Sequence, residues 1–186
     1  MDDCMHNITY KIGLAVFLGA TFASNAKPLS IKDTQFVPSV HVGLGVHRIG
    51  DHRGYENFAA GDIAVEYHGI LSDKFELGFG GGFVGDLTDF EAQNSYWYIK
   101  AVDARYRFYE QFHIGAFAGG SYSNRFNKAY GMLLGGYIRY DLSDTWSLSA
   151  EYRETSNDTD NNLGYPEGEF NIRDYDLLQL RLSYNF

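Results

Sequence analysis

The sequence predicts an all-β chain, an eight-stranded antiparallel up-and-down transmembrane β-barrel, and three observations lead there. From residue 36 onward apolar residues recur with a period of two rather than 3.6, the pattern of strands with one apolar face. The links between these segments are short and long by turns, as in barrels with tight turns on one rim and loops on the other. Aromatic residues reach 17 %, with 15 Tyr and 14 Phe beside 21 Gly and only 3 Pro, a composition foreign to disordered chains.

At 186 residues the chain makes one domain. Its net charge of −9 argues against a nucleic-acid partner, which would need clustered Lys and Arg. Mean hydropathy is −0.30, and beyond the N-terminus no run approaches the ~20 apolar residues of a spanning helix.

Residues 1–26 read as a secretory signal peptide, leaving 27–186 as the barrel domain. Ile12–Phe22 is an apolar run of h-region length preceded by Lys11, and Ser24 and Ala26 place small residues where a signal peptidase cuts. Asp2 and Asp3 do not suit a positive n-region, and initiation at Met5 would remove them. Cys4 is the single cysteine and falls in the removed segment, which excludes disulfides, thiolate metal sites and a Cys nucleophile from the mature chain.

Eight alternating segments of about ten residues follow. The first sets Val40, Val42, Leu44 and Val46 against His41, Gly43, Gly45 and His47. In the second, Ile63, Val65 and Tyr67 oppose Asp62, Ala64, Glu66 and His68; in the third, Phe75, Leu77, Phe79 and Phe83 oppose Glu76, Gly78, Gly80 and Gly82. The fourth places Val102, Ala104, Tyr106 and Phe108 against Asp103, Arg105 and Arg107. The fifth, His113 to Tyr122, is too rich in Gly and Ala for its facing to be read. Met132, Leu134, Ile138 and Tyr140 oppose Tyr137 and Arg139 in the sixth, and Trp146, Leu148, Ala150 and Tyr152 oppose Ser147, Ser149, Glu151 and Arg153 in the seventh. The last alternates Leu178, Leu180, Leu182, Tyr184 and Phe186 with Gln179, Arg181, Ser183 and Asn185. Leu71–Lys74, Tyr109–Phe112 and Asp141–Thr145 read as tight turns, and 48–61, 84–95, 123–131 and 154–172 as longer polar links.

Alternation alone does not say which face meets water, because a soluble barrel of the lipocalin kind buries the apolar face that a membrane barrel exposes. Three features favour the membrane arrangement. The polar face carries Asp62, Glu66, Glu76, Asp103 and Glu151 against Arg105, Arg107, Arg139, Arg153 and Arg181, a neutral balance written in Arg, which pairs buried carboxylates well. Lys100, near the loop end of its strand, is expected to snorkel. Gly43, Gly45, Gly78, Gly80 and Gly82 share that polar face and suit a narrow interior. Tyr96, Trp97, Tyr98, Tyr106, Phe108, Tyr140 and Trp146 cluster toward segment ends, as at a lipid–water boundary.

The run Tyr140–Arg153, with Asp141-Leu142-Ser143-Asp144-Thr145 between its strands, resembles the penultimate hairpin of the OmpA-like/OmpX-like outer-membrane barrel family. The ending Leu180-Arg181-Leu182-Ser183-Tyr184-Asn185-Phe186 is similar to that family's C-terminal assembly signal, carried by Leu180, Leu182, Tyr184 and Phe186. The resemblance implies the outer membrane of a Gram-negative cell envelope, insertion by the barrel-assembly machinery, and contact with outer-membrane lipid and lipopolysaccharide. A weaker resemblance runs to lipid A deacylases of the PagL type, whose His-x-Ser-Asn motif is matched by Glu154-Thr155-Ser156-Asn157 with the His replaced.

The expected function is structural, adhesive or ligand-binding, through acidic surface loops (Asp86, Asp89 and Glu91; residues 154–169) on a barrel whose lumen is closed by ion pairs. A lipid A acyl hydrolase and a narrow porin-like channel are the alternatives. No cofactor or catalytic residue is expected. Asp158, Asp160, Asn162, Gly164 and Glu169 have the spacing of a calcium loop, but Leu163 stands at its glycine position, so a solvated acidic loop is the expectation. His41, His47 and His68 are expected to be hydrogen-bonded lumen residues rather than metal ligands.

Overall fold

The computed structural model describes residues 29–31, 34–51, 54–87, 95–123, 129–159 and 173–186. The signal-peptide segment and the residues of the calcium-like spacing beyond Thr159 lie outside these. Nine strands form one sheet: β1 (Leu29–Ile31), β2 (Thr34–Asp51), β3 (Gly54–Ser72), β4 (Phe75–Asp86), β5 (Tyr96–Tyr109), β6 (Phe112–Ser123), β7 (Ala129–Asp141), β8 (Trp146–Thr159) and β9 (Arg173–Asn185). Neighbours in sequence pair antiparallel, and β2 also pairs with β9, so β2–β9 close an eight-stranded up-and-down barrel with β1 folded along β2. Closure removes the unpaired edges that an open sheet of this length would expose.

Each strand forms where alternation gives it one face for the lumen and one for the outside. In β8, Ser147, Ser149, Glu151, Arg153 and Thr155 are buried while Trp146, Leu148, Ala150 and Tyr152 are exposed. The fifth predicted segment, β6, turns His113, Gly115 and Phe117 inward and Ile114 and Ala116 outward. Three tight connections lie at one end. Asp73-Lys74 and Glu110-Gln111 are two-residue turns. The third, Leu142–Thr145, is held by the Ser143 hydroxyl, which accepts from the amides of Thr145 (3.3 Å) and Trp146 (3.0 Å).

Strands β2–β9 run 12 to 19 residues rather than the ten or so expected, and of the polar link expected at 48–61, residues 48–51 and 54–61 are strand. β2 and β3 stay in register from Phe36↔Gly69 to Asp51↔Gly54. Ile49 and Ala60 continue the inward row, and the polarity of Arg48 and Asn57, outward, and of Glu56, exposed above the lumen on the inward row, reflects the solvent at the loop end, not loss of strand.

A β-bulge in β5 overturns three other expectations. Its register with β6 shifts between Lys100 and Val102, and Ala101 and Val102 both face outward. Inward residues before the bulge are Tyr96, Tyr98 and Lys100; after it they are Asp103 and Arg105. Lys100 therefore does not snorkel but is 0 % exposed in the lumen, and Tyr96 and Tyr98 leave the boundary belt for the interior.

The outer face is an apolar band with aromatic side chains at both ends. Phe75, Tyr106, Phe108, Tyr109, Phe112, Trp146, Tyr184 and Phe186 ring the turn end, and Tyr55, Trp97, Tyr130 and Tyr152 the loop end. On β9 the apolar row runs from Leu178 to Phe186, eight rises of ~3.4 Å at a tilt of ~40°, or roughly 21 Å, beside the ~25 Å band of membrane barrels.

Inward glycines make room for large neighbours. A Cβ at Gly82 would lie 2.6 Å from the Tyr98 hydroxyl oxygen, and one at Gly115 would overlap the Tyr137 ring. Gly115→Val is therefore expected to lower the unfolding free energy of the refolded barrel by about 1–3 kcal/mol in urea titration. The outward-facing neighbour Ala116→Val should leave the midpoint within error.

Candidate functional site

The lumen is filled in three tiers. The middle tier is ionic. Its cations are Lys100 from β5, Arg153 from β8 and Arg181 from β9, and its anions are Asp62, Glu66, Asp103 and Glu151. Lys100 Nζ lies 2.9 Å from both Glu66 and Glu151, and its ammonium rests 4.0 Å from the centre of the Phe117 ring. Arg181 Nη1 donates to Glu66 (3.0 Å) and Glu151 (2.7 Å), with its Nε 3.1 Å from Asp62. Arg153 bonds Glu151 and, at 3.2 Å, Asp62, while its guanidinium lies 4.0 Å over the Tyr98 ring. Gln179 Nε2 donates to Asp62 and Glu151, both at 3.0 Å, and the Tyr98 hydroxyl donates to Asp62 at 2.9 Å. Hydrogen bonds from several strands thus converge on each carboxylate, as buried charge requires.

The tier toward the turns contains Glu76, Arg105, Arg107 and Arg139. Arg105 spends all three nitrogens: Nη1 on Glu76 (2.8 Å), Nε on the Tyr137 hydroxyl (3.0 Å) and Nη2 on His68 Nε2 (3.0 Å). His68 Nε2 also lies 3.3 Å from Asp103 Oδ2, a carboxylate oxygen that can only accept. Asp103 is held by the Tyr137 hydroxyl at 2.8 Å. Arg107 Nη2 approaches Glu76 at 3.6 Å. Arg139 stands apart from these and pairs with Asp141 (2.7 Å), whose other oxygen accepts from His113 Nε2 (2.8 Å).

Sequence reasoning missed Lys100 and Asp141 as members of this arrangement, and also Tyr98, Tyr137 and Gln179 as its hydrogen-bonding partners. With Lys100 and Asp141 included, the ion-paired tiers carry six cations against six carboxylates. The adjacent apolar pair Ala101-Val102 was the available signal for Lys100, because it breaks the alternation and marks the bulge. Glu66, His68 and Asp103 place potential metal-ligand atoms within 4.8 Å of one another. Lys100 lies 2.9 Å from Glu66 and Arg105 3.0 Å from His68 Nε2, so the chain's own cations stand beside these ligand atoms.

The tier toward the loops is apolar and aromatic: Val84, Phe117, Leu133 and Leu177, capped by Tyr96, Tyr175 and His47. His47 stacks on Tyr175 with ring centres 5.2 Å apart. His41, below, is hydrogen-bonded to Ser39 (2.8 Å) and to Ser183 (2.6 Å).

Beneath the ionic tiers a cavity of about 400 Å³ opens among the tight turns, with Arg105, Arg107, Arg139, Glu76 and Asp141 in its walls. On the outer face, Leu180, Leu182, Tyr184 and Phe186 line an apolar groove across β8, β9 and β2, with Tyr184 edge-on to both Trp146 and Phe186. Glu154 and Ser156, the frame of the hydrolase alternative, face outward. The described histidines His41, His47, His68 and His113 are buried in the lumen, so none supplies that frame with an imidazole.

No family model and no curated protein matches the sequence. Solved structures match the fold. Neisserial surface protein A is similar at a TM-score of 0.54 and 13 % identity, over 80 % of this chain and 97 % of that one. Ail, the attachment invasion locus protein of Yersinia pestis, is similar at 0.57 and 11 % identity, over 81 % and 99 %. A second structure of Ail, in complex with the heparin analogue sucrose octasulfate, gives 0.50 at 10 % identity, over 81 % and 99 %. With its closed ring of β2–β9, this chain has the fold of the small eight-stranded outer-membrane barrels.

Proposed function

We propose that the protein is an outer-membrane barrel of a Gram-negative envelope that acts at its surface, as a structural, adhesive or ligand-binding protein, and does not conduct. The observation that carries this reading is the ionic tier itself. Arg153 is 0 % exposed and joins Asp62 of β3 to Glu151 of β8 across the lumen, with the apolar tier above it. An ion entering would have to separate charges that are fully desolvated, at a cost of several kcal/mol each. The apolar band and its two aromatic ends support residence in a bilayer.

Contacts then fall to the loop end. Its outward residues include Glu154 and Asp176 against Arg48, Glu56 stands exposed over the lumen, and the sequence of the links adds further acids. Ail carries the words attachment and invasion in its name, and an attachment role suits a rigid barrel with a charged rim. The acidic rim of this chain favours cationic surfaces or divalent ions bridging to lipopolysaccharide phosphate. The C-terminal row Leu180, Leu182, Tyr184 and Phe186, outward on the closing strand, suits reading by the barrel-assembly machinery.

Cell fractionation should place the protein with the outer membrane, and its unboiled form should migrate differently from the boiled one on a gel. Recovery as a freely dissolved periplasmic protein would overturn the reading. In planar bilayers the purified barrel should give no large steady conductance. Arg153→Met and Lys100→Met should each lower the unfolding free energy by about 3–5 kcal/mol, since each strands a buried carboxylate; unchanged urea midpoints for both would remove the ionic tier as the support of the lumen.

A further inference from the structure

We infer that the turn-side cavity is a binding site for a small zwitterion, an amino acid or short peptide that enters carboxylate first. This goes beyond the surface role proposed above and concerns the opposite end of the barrel. The cavity, about 400 Å³, is of the size that holds small ligands. Arg105 and Arg139, 4 % and 7 % exposed, lie deep in the walls beside Glu76 and Asp141, whereas Arg107, Glu110 and Asp144 stand nearer the mouth.

Arg139 is the anchor. Its Nε is fixed by Asp141 at 2.7 Å, and Asp141 is in turn fixed by His113 at 2.8 Å, so the guanidinium plane is held in place. Among the described residues, nothing bonds its two Nη groups, and the side chain lines the cavity. A planar pair of donors held in this way fits a carboxylate through two parallel hydrogen bonds. Arg105 and Arg107 share the carboxylate of Glu76, and the three arginines of the cavity face four acids, Glu76, Asp141, Glu110 and Asp144. A simple anion would gain the hydrogen bonds of Arg139 but would meet this acidic surplus on entry. A molecule with an ammonium behind its carboxylate answers both.

The site is a dead end. Above Arg105 and Arg139, among the described residues, lies a chamber of about 10 Å³ bounded by Glu151 and Arg181, room for a single water. A ligand therefore stops at Arg139 and is retained, not transported.

The barrel refolded in detergent micelles and labelled for backbone amide NMR, titrated with Ala-Ala-Ala, tests this without reference to cellular location. Saturable shifts should be confined to the cavity's walls, residues 37–39, 68–76, 105–113 and 137–144 and Asn185. The C-terminal amide of the peptide and its N-acetyl form should each bind at least about tenfold more weakly. Arg139→Gln should abolish the shifts with the remaining spectrum preserved. Equal affinity for the amidated peptide, or for acetate alone, overturns the inference, as does the absence of saturable shifts in the native barrel. Should Arg139→Gln fail to fold, the peptide series on the native protein decides alone.

Discussion

The structure depends on burying ionised groups in a closed barrel without leaving any of them unmatched. An eight-stranded ring is just wide enough for its own side chains to fill it, so guanidinium and ammonium groups that cross the lumen must end on carboxylates of the facing strands. Lys100, Arg153 and Arg181 do so, each touching more than one acid, and Gln179 and Tyr98 take up remaining lone pairs. Glycine on the inward rows follows from the same requirement. Tyr137 reaches across β6 to Asp103 only because residue 115 has no side chain in the way.

This arrangement divides the labour between the two faces of every strand. Outside, Leu, Val, Ile and Met present nothing polar, and Trp, Tyr and Phe cap the band at both ends, which is what a bilayer asks of a protein surface. Inside, specificity of register comes from charge as well as from pleat. A slip by one residue would drive Arg153 into lipid and Leu148 into the ionic tier.

Much of this was legible in the sequence. The inward and outward rows of β2, β3, β8 and β9 follow the period-two pattern residue by residue, and the three tight turns fall where their polar dipeptides and Ser143 place them. Two things were hidden for physical reasons. A bulge adds one residue without changing composition, so Lys100, Tyr96 and Tyr98 are read on the wrong face by simple alternation. Polarity above the lipid band looks like loop, so the paired stretch of Arg48 to Asn57 is mistaken for a link. Within the lumen the residue types were readable from the inward rows, but their partners were not. That Arg139 goes to Asp141 while Arg105 goes to Glu76 depends on the stagger between strands, which only the closed ring defines.

The seam between the first and last barrel strands has one further meaning. Asp62 and Glu66 belong to β3 and are set early in the chain, yet Arg181, which contacts both, arrives with the final strand. Ser183, on that same strand, completes the hydrogen bonding of His41. Without β9 the described ion-paired groups of the lumen would number five cations against six carboxylates, and its pairing with β2 and β8 brings the sixth cation. Closure of the ring and neutrality of its interior thus rest on the same strand.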